Sequence, residues 1–323
     1  MKKKLFLMAC LTVAGMLSMK AQQSIIALHH QGNVTIYAGA KTQEAMDASV
    51  KGDTLYLSEG TFAGFNVTHG IVVLGSGEKT VVSGNITITG NDEKKDLGGY
   101  VFSGMNLLHN FVVNDSVNGF RMSQCQMNNF TVNNGNYLDN AEIVMSYIRS
   151  TLSLNERYDD EYGLDVISSK IRTVEYGGAK QGAVSFNHCN INSQLKIDYD
   201  TESWVHSSRM NTYKNCIVGT ICYSTFLNCI YASTHHSYTA RDCKQADFSF
   251  DENMNCLLSD DSLQTAGYLG DDGTVVGITG GDIPYTLELA APHVVDHKVE
   301  VDNVNRKMTV TLKMAHEATK KEE

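Results

Sequence analysis

The chain has 323 residues, with 26 basic against 36 acidic side chains and a formal net charge of −10. Only 19% of residues are charged and no long basic run occurs, which excludes a nucleic-acid surface, whose phosphates demand clustered Lys and Arg. An apolar share of 42% excludes bulk disorder, and two prolines with 27 glycines exclude collagen-like and Pro-rich classes.

Lys2, Lys3 and Lys4 open the chain, followed by an apolar run from Leu5 to Leu17 and then Ser18-Met19-Lys20-Ala21. This is the layout of a bacterial secretory signal peptide cleaved after Ala21, and it predicts export to the periplasm, cell surface or medium. Thirteen apolar residues are too few to cross about 30 Å of hydrocarbon. Cleavage leaves 22 basic against 36 acidic residues, a net charge of −14.

Asn33 to Gly39 reads as a short strand. Thr42 to Val50 reads as one short helix, capped by Thr42, with Glu44 in the positive first turn and Met46 and Val50 on one face. From Gly52 onward helical periodicity disappears. Short apolar runs such as Thr54–Leu57, Phe65–Val67, Ile71–Leu74 and Ile86–Ile88 alternate with Gly, Asn and Ser, an all-β signature.

A longer register overlies these strands. Phe102-Ser-Gly-Met, Met122-Ser-Gln-Cys, Met145-Ser-Tyr-Ile, Ile167-Ser-Ser-Lys, Phe186-Asn-His-Cys and Tyr213-Lys-Asn-Cys repeat one pattern at intervals of 19 to 27 residues. Phe226-Leu-Asn-Cys, Ala240-Arg-Asp-Cys and Asn253-Met-Asn-Cys follow at 13 to 14, a spacing that reads as two interleaved faces. A period of this size predicts a solenoid in which each coil covers the core of the next. Of the seven cysteines beyond the leader, six occupy the same repeat position, where Cys serves as a small apolar side chain. Cys189, Cys216 and Cys243 are therefore expected inside the stack.

The segments Lys51–Phe62 (KGDTLYLSEGTF) and Ile71–Gly84 (IVVLGSGEKTVVSG), with the repeated F-x-N-C-x-I turns, resemble the right-handed parallel β-helix, or pectin-lyase-like, superfamily. Asp272–Tyr285 (DGTVVGITGGDIPY) resembles the segment that closes many bacterial secreted β-helix proteins of unassigned function. The resemblance covers about residues 33 to 285 and implies stacked coils of three short parallel strands, closed at the open apolar end by the Thr42–Val50 helix. It also implies asparagines stacked as a hydrogen-bonded ladder at corresponding turns, which would account for the 25 asparagines of the chain. The expected organisation is a leader over 1–21, a β-helix domain over 22–285 and a C-terminal β tail over 286–323, with Val294–Val301 and Met308–Met314 as a hairpin.

Catalytic motifs of that superfamily are missing. Polygalacturonases pair aspartates with Gly-His-Gly and Arg-Ile-Lys, and here only Thr68-His69-Gly70 occurs. Pectate lyases carry Trp-Ile-Asp-His and Arg-x-Pro-x-x-Arg. Ser203-Trp204-Val205-His206 lacks the aspartate, and the prolines at 284 and 292 stand far from it. The acidic pairs Asp159-Asp160-Glu161, Asp260-Asp261 and Asp271-Asp272 read as solvated turns. Calcium ligands are conceivable at Gly270–Gly273 and at Asp198, Asp200 and Glu202, yet neither completes a calcium-loop spacing. No other cofactor is implied.

These readings converge on an exported β-helix without a recognised catalytic set, which binds an extended glycan or a surface protein. Its alternatives are a polysaccharide lyase or hydrolase with an atypical site, and a structural spacer. The expected binding stretch is Asp198 to Arg209, which holds the only tryptophan within the longest gap of the repeat. Trp204 and Tyr199 would stack on sugar rings, while Asp198, Asp200, Glu202, His206 and Arg209 would bond hydroxyls or hold a cation.

Overall fold

The structure is a computed structural model that describes residues 24–90, 99–133, 135–154, 163–177, 183–197, 211–221, 224–234, 238–288, 293–302 and 307–315. Residues 1–287 and 288–323 form two compact units. In the second, His293–Asp302 and Lys307–Ala315 pair antiparallel as the expected hairpin. The leader lies outside the described residues.

The first unit is a parallel β-solenoid. Its first wall stacks Thr54–Leu57, Val72–Leu74, Tyr100–Ser103, Val117–Ser123, Leu138–Val144, Gly163–Ile167, Ala183–Asn187, Thr212–Lys214, Thr225–Leu227 and Thr239–Arg241 in chain order. A second wall runs from Gly60–Phe62 to Lys244–Gln245. A third, formed by Phe65–Val67, Ile86–Ile88, Asn110–Val113 and Asn129–Val132, merges into the second at Tyr147–Leu154. Because side chains alternate across a strand, each wall sends one row inward. On the first wall that row is Leu55, Val73, Phe102, Met122, Ile143, Val166, Phe186, Tyr213 and Phe226, all buried. Rings of successive coils stack directly: Phe186 on Tyr213 with centroids 4.5 Å apart, and Tyr213 on Phe226 at 4.8 Å.

The register corrects the repeat at three points. Met122 pairs with Ile143, not Met145, and Ile143 pairs with Val166, not Ile167. Tyr213, Phe226 and Ala240 are consecutive rungs of one wall, so the 13- and 14-residue spacings are short coils rather than interleaved faces. Asn253-Met-Asn-Cys has left the stack altogether, since Cys256 bridges back to Phe250.

What repeats most faithfully is the corner between the first and second walls. Gly104, Gln124, Met145, Ser168, His188, Asn215, Asn228 and Asp242 all adopt left-handed backbone, with φ between 46° and 66°. A left-handed residue reverses the chain in minimal length, at a steric cost that Gly and Asn bear best. Each of these residues except the terminal Asp242 donates its N–H to the next coil, as from Asn215 to Leu227 O at 3.0 Å. After Gly104 the next residue is Met105, and after the other seven it is a column of small polarisable groups: Cys125, Ser146, Ser169, Cys189, Cys216, Cys229 and Cys243. Each closes the corner by donating to the carbonyl two residues earlier, from Ser146 Oγ to Val144 O at 3.0 Å and from Cys216 Sγ to Lys214 O at 3.1 Å. Each sulfur from Cys216 onward also accepts the N–H of the preceding cysteine at 3.4 Å. Cys125, Cys189, Cys216 and Cys229 are buried, whereas Cys243 ends the column half-buried.

Asparagine ladders are present at other corners. Asn110 N donates to Asn85 Oδ1 at 3.1 Å, Asn129 Nδ2 to Asn110 Oδ1 at 2.8 Å, and Thr151 N to Asn129 Oδ1 at 3.1 Å. Asn114 and Asn133 pair in the same manner.

The N-terminal end is built more heavily than expected. Ile25–His30 and Asn33–Ala38 form a hairpin that pairs antiparallel with Thr54–Leu57 and extends the first wall. The helix spans Thr42–Asp47. Thr42 is its buried first residue and donates to Gly39 O at 3.0 Å instead of capping, while Ala45 and Met46 face the core. Val50 lies beyond the helix and is exposed.

After the last rung the chain turns back. Residues 246–285, with a short helix Asp260–Thr265 that helical periodicity did not reveal, lie over the outer face of the second wall. Ile217 and Ile230 point outward from that wall yet are buried, because Leu263 and Val276 cover them. Among the described residues of the first unit, no segment covers the outer face of the first wall.

Candidate functional site

Three polar clusters compete for a functional role. The first, at the N-terminal end, joins Ser49 Oγ to His69 Nε2 at 3.0 Å, with Asp53 nearby. It suggests a nucleophile and its base. Ser49, however, donates its one proton to Met46 O at 2.6 Å, and Asp53 is engaged by His30 Nδ1 at 2.8 Å and Val50 N at 2.9 Å. Burial moreover lowers the His69 pKa, with Asp53 opposing. This cluster closes a helix end.

The second cluster fastens the returning segment. His188, only 3% exposed, faces Gly277 O through Nδ1 at 3.2 Å and Asp272 Oδ2 through Nε2 at 2.8 Å. Asn215 Nδ2 donates to Asp271 Oδ1 at 2.9 Å, and Lys214 Nζ meets Asp271 Oδ2 at 2.7 Å. The Lys214 ammonium and Asn215 amide hold Asp271 below the ordinary carboxylate range. Burial pushes Asp272 upward, but hydrogen bonds from Thr274 and His188 together outweigh it and the net shift is downward. Farther along, Lys170 Nζ donates to Asn255 Oδ1 at 2.6 Å and sits 4.4 Å from the Tyr285 ring centroid. Burial lowers the Lys170 pKa, with Asp251 opposing. Both sets are consumed in holding the segment down.

The third cluster is open to solvent. One of the outward rows of the first wall is formed, in register, by Val101, Arg121, Glu142, Asp165, Ser185, Thr212, Thr225 and Thr239. Adjacent strands place these side chains about 4.8 Å apart along the solenoid. At the charged end lies a groove of about 450 Å³, lined by Val101, Gly119, Arg121, Asn140, Glu142, Gly163 and Asp165, with Tyr100, Phe120 and Ala141 beneath. Gly119 and Asn140 are both left-handed, at φ 78° and 46°, and their matched kink notches the wall.

Within the groove Arg121 Nη1 meets Glu142 Oε2 at 3.5 Å. Asp165 is the Cα partner of Glu142 on the next rung, and among the described residues it has no hydrogen-bond or ion-pair partner. Asp139 stands at the rim, where its Oδ1 lies 3.0 Å from the place a Cβ on Gly163 would occupy. Among the described residues Asp139 is bonded only by neutral donors, Asn118 Nδ2 at 2.9 Å, Asn140 Nδ2 at 3.2 Å and Asn140 N at 2.9 Å. Like charges directly opposite on neighbouring strands repel, so Glu142 beside Asp165 is a feature that stability alone does not favour.

The expected binding residues Asp198, Tyr199, Asp200, Glu202, Trp204, His206 and Arg209 lie outside the described residues, as do Asp159, Asp160 and Glu161. Asp271 and Asp272, weighed as calcium ligands, meet Asn215 and Lys214, and His188 and Thr274, respectively. Among the described residues no group of three His, Cys, Asp or Glu gathers as a metal site. Arg121, Glu142 and Asp165 were missed by sequence reasoning because they lie 21 and 23 positions apart, and only a correct rung register brings them together.

These features define a parallel β-solenoid whose second wall is covered and whose first wall, among the described residues of this unit, is not. No protein family, curated protein or solved structure matches the chain. Among the described residues no helix is long and apolar enough to cross a membrane.

Proposed function

We propose that this chain is an exported β-helix protein, akin to the pectin-lyase-like superfamily, that binds an extended glycan along the open face of its first wall. The observation that carries this reading is the row from Arg121 to Thr239, a line of charged and hydroxyl groups in register over successive coils. A polymer laid along the axis would meet a polar group at each rung, and the groove at Arg121, Glu142 and Asp165 would seat one of its units. The leader-like segment at 1–21 supplies the export. The expected binding stretch Asp198 to Arg209 falls in sequence between Asn190–Ile197 and Thr212–Lys214.

Paired carboxylates on adjacent rungs favour a second reading, glycoside hydrolysis by Glu142 and Asp165, since such enzymes act through two carboxyl groups. One experiment separates the readings. The full chain is incubated with immobilised and soluble polysaccharides, neutral, acidic and basic. Retention without cleavage supports binding. New reducing ends that vanish in Asp165→Asn support hydrolysis. Neither retention nor cleavage on any glycan refutes both and leaves the spacer role.

A further inference from the structure

We propose, resting on the glycan-binding reading, that the unit seated in the groove carries an amine, so that the ligand class is an amino-sugar polymer rather than a uronate or sulfated chain. Among the described residues the groove and its rim hold three carboxylates, Asp139, Glu142 and Asp165, against one cation, Arg121. Arg121 is spent on Glu142. Asp139 receives only amide donors, and Asp165 faces Glu142 across the rung with no partner among the described residues. A protonated amine placed between Glu142 and Asp165 removes the repulsion between them and makes charge-assisted hydrogen bonds that no neutral hydroxyl equals. A polyanion in the same place meets like charge.

Beyond the groove this row loses its charge, while the cations Lys214 and Arg241 stand in the neighbouring outward row, Lys214 paired with Asp271. The row continues as Ser185, Thr212, Thr225 and Thr239, hydroxyls suited to the uncharged part of a sugar chain. The row thus joins one cation-selective seat to a neutral polar track, and the seat sets the specificity.

The test uses the full chain and three oligosaccharide probes of matched length, built from glucosamine, N-acetylglucosamine or galacturonic acid, with affinity measured at low and high salt. The expected result is glucosamine binding at least about tenfold tighter than its N-acetyl form, weakened by salt, and lost to a similar factor in Asp165→Asn. Asp165 is exposed on a strand, so its amide variant should melt as the parent does, and the melting curve verifies that. N-acetylglucosamine or galacturonate bound equally or better overturns this inference and leaves the glycan reading standing. An amine preference unchanged in both Asp165→Asn and Glu142→Gln moves the seat elsewhere and overturns it too. Failure of every probe, and of the broader panel, refutes the underlying reading itself.

Discussion

His188 Nε2 lies 2.8 Å from Asp272 Oδ2, joining a left-handed corner of the solenoid to a loop 84 residues further along the chain. The bond is a principal anchor for the segment that covers the second wall. Replacing His188 with Gly keeps the corner backbone relaxed at φ 51° while deleting the ring contacts to Gly277, Asp272 and Asn215. The expected loss is about 1–3 kcal/mol of stability, with earlier proteolytic cleavage within residues 246–285. Limited proteolysis and thermal melting measure it. Unchanged cleavage would show that Lys170 and the apolar contacts suffice.

Acid should weaken the same anchor. Asp271 and Asp272 have folded pKa values below their unfolded ones, so their contribution is present above the unfolded carboxylate pKa of about 4 and is lost as pH falls through the lowered values. Melting temperatures taken between about pH 6 and pH 2.5 should decline over the lower part of that range. In Asp271→Asn/Asp272→Asn the decline should flatten. An equally steep acid limb in the double variant would assign the acid sensitivity to other carboxylates.

The left-handed corners make opposite predictions for two residues. Met145, at φ 47°, bears a conformational cost that Asn tolerates better, so Met145→Asn should stabilise by up to about 1 kcal/mol. Asn228, at φ 50°, would be replaced by a β-branched side chain in Asn228→Val, with a loss of about 1–2 kcal/mol. Chemical denaturation compares the pair. A gain at Asn228→Val would contradict the corner geometry.

The thiol column should be chemically graded. Cys125, Cys189, Cys216 and Cys229 are all closed off from solvent, which by itself bars a reagent. Half-buried Cys243 should react first with a thiol reagent in the native protein, and the four others only on unfolding. Cys216→Ser should be tolerated better than Cys216→Val, since Ser146 and Ser169 already make the closing bond at this position. Mass spectrometry of labelled peptides and melting curves test both statements.

Arg121 should matter to ligands more than to the fold. Its pair with Glu142 is exposed, and such pairs contribute less than about 1 kcal/mol. Arg121→Ala should therefore melt within a few degrees of the parent while tightening an amine-bearing probe, because the groove then carries an uncompensated Glu142. Weakened binding of that probe would reassign Arg121 from charge balance to direct contact.

The solenoid was legible from sequence because its period is written in residue types. An apolar residue that stacks on its own equivalent must recur once per coil, and a corner that turns left-handed must recur with it, hence Phe186-Asn-His-Cys, Tyr213-Lys-Asn-Cys and Phe226-Leu-Asn-Cys. Where the corner is Met145 or Ser168, neither Gly nor Asn marks it, and the register slipped by one or two residues. Tertiary structure alone decided which wall would be open. Ile217 and Ile230 occupy the same outward row as Lys170, and only the return of Leu263 and Val276 over them makes that face a second core. The groove likewise belongs to the stack. Arg121, Glu142 and Asp165 sit on separate coils, and hydrogen-bond register, which depends on every corner between them, brings the three charges onto one line.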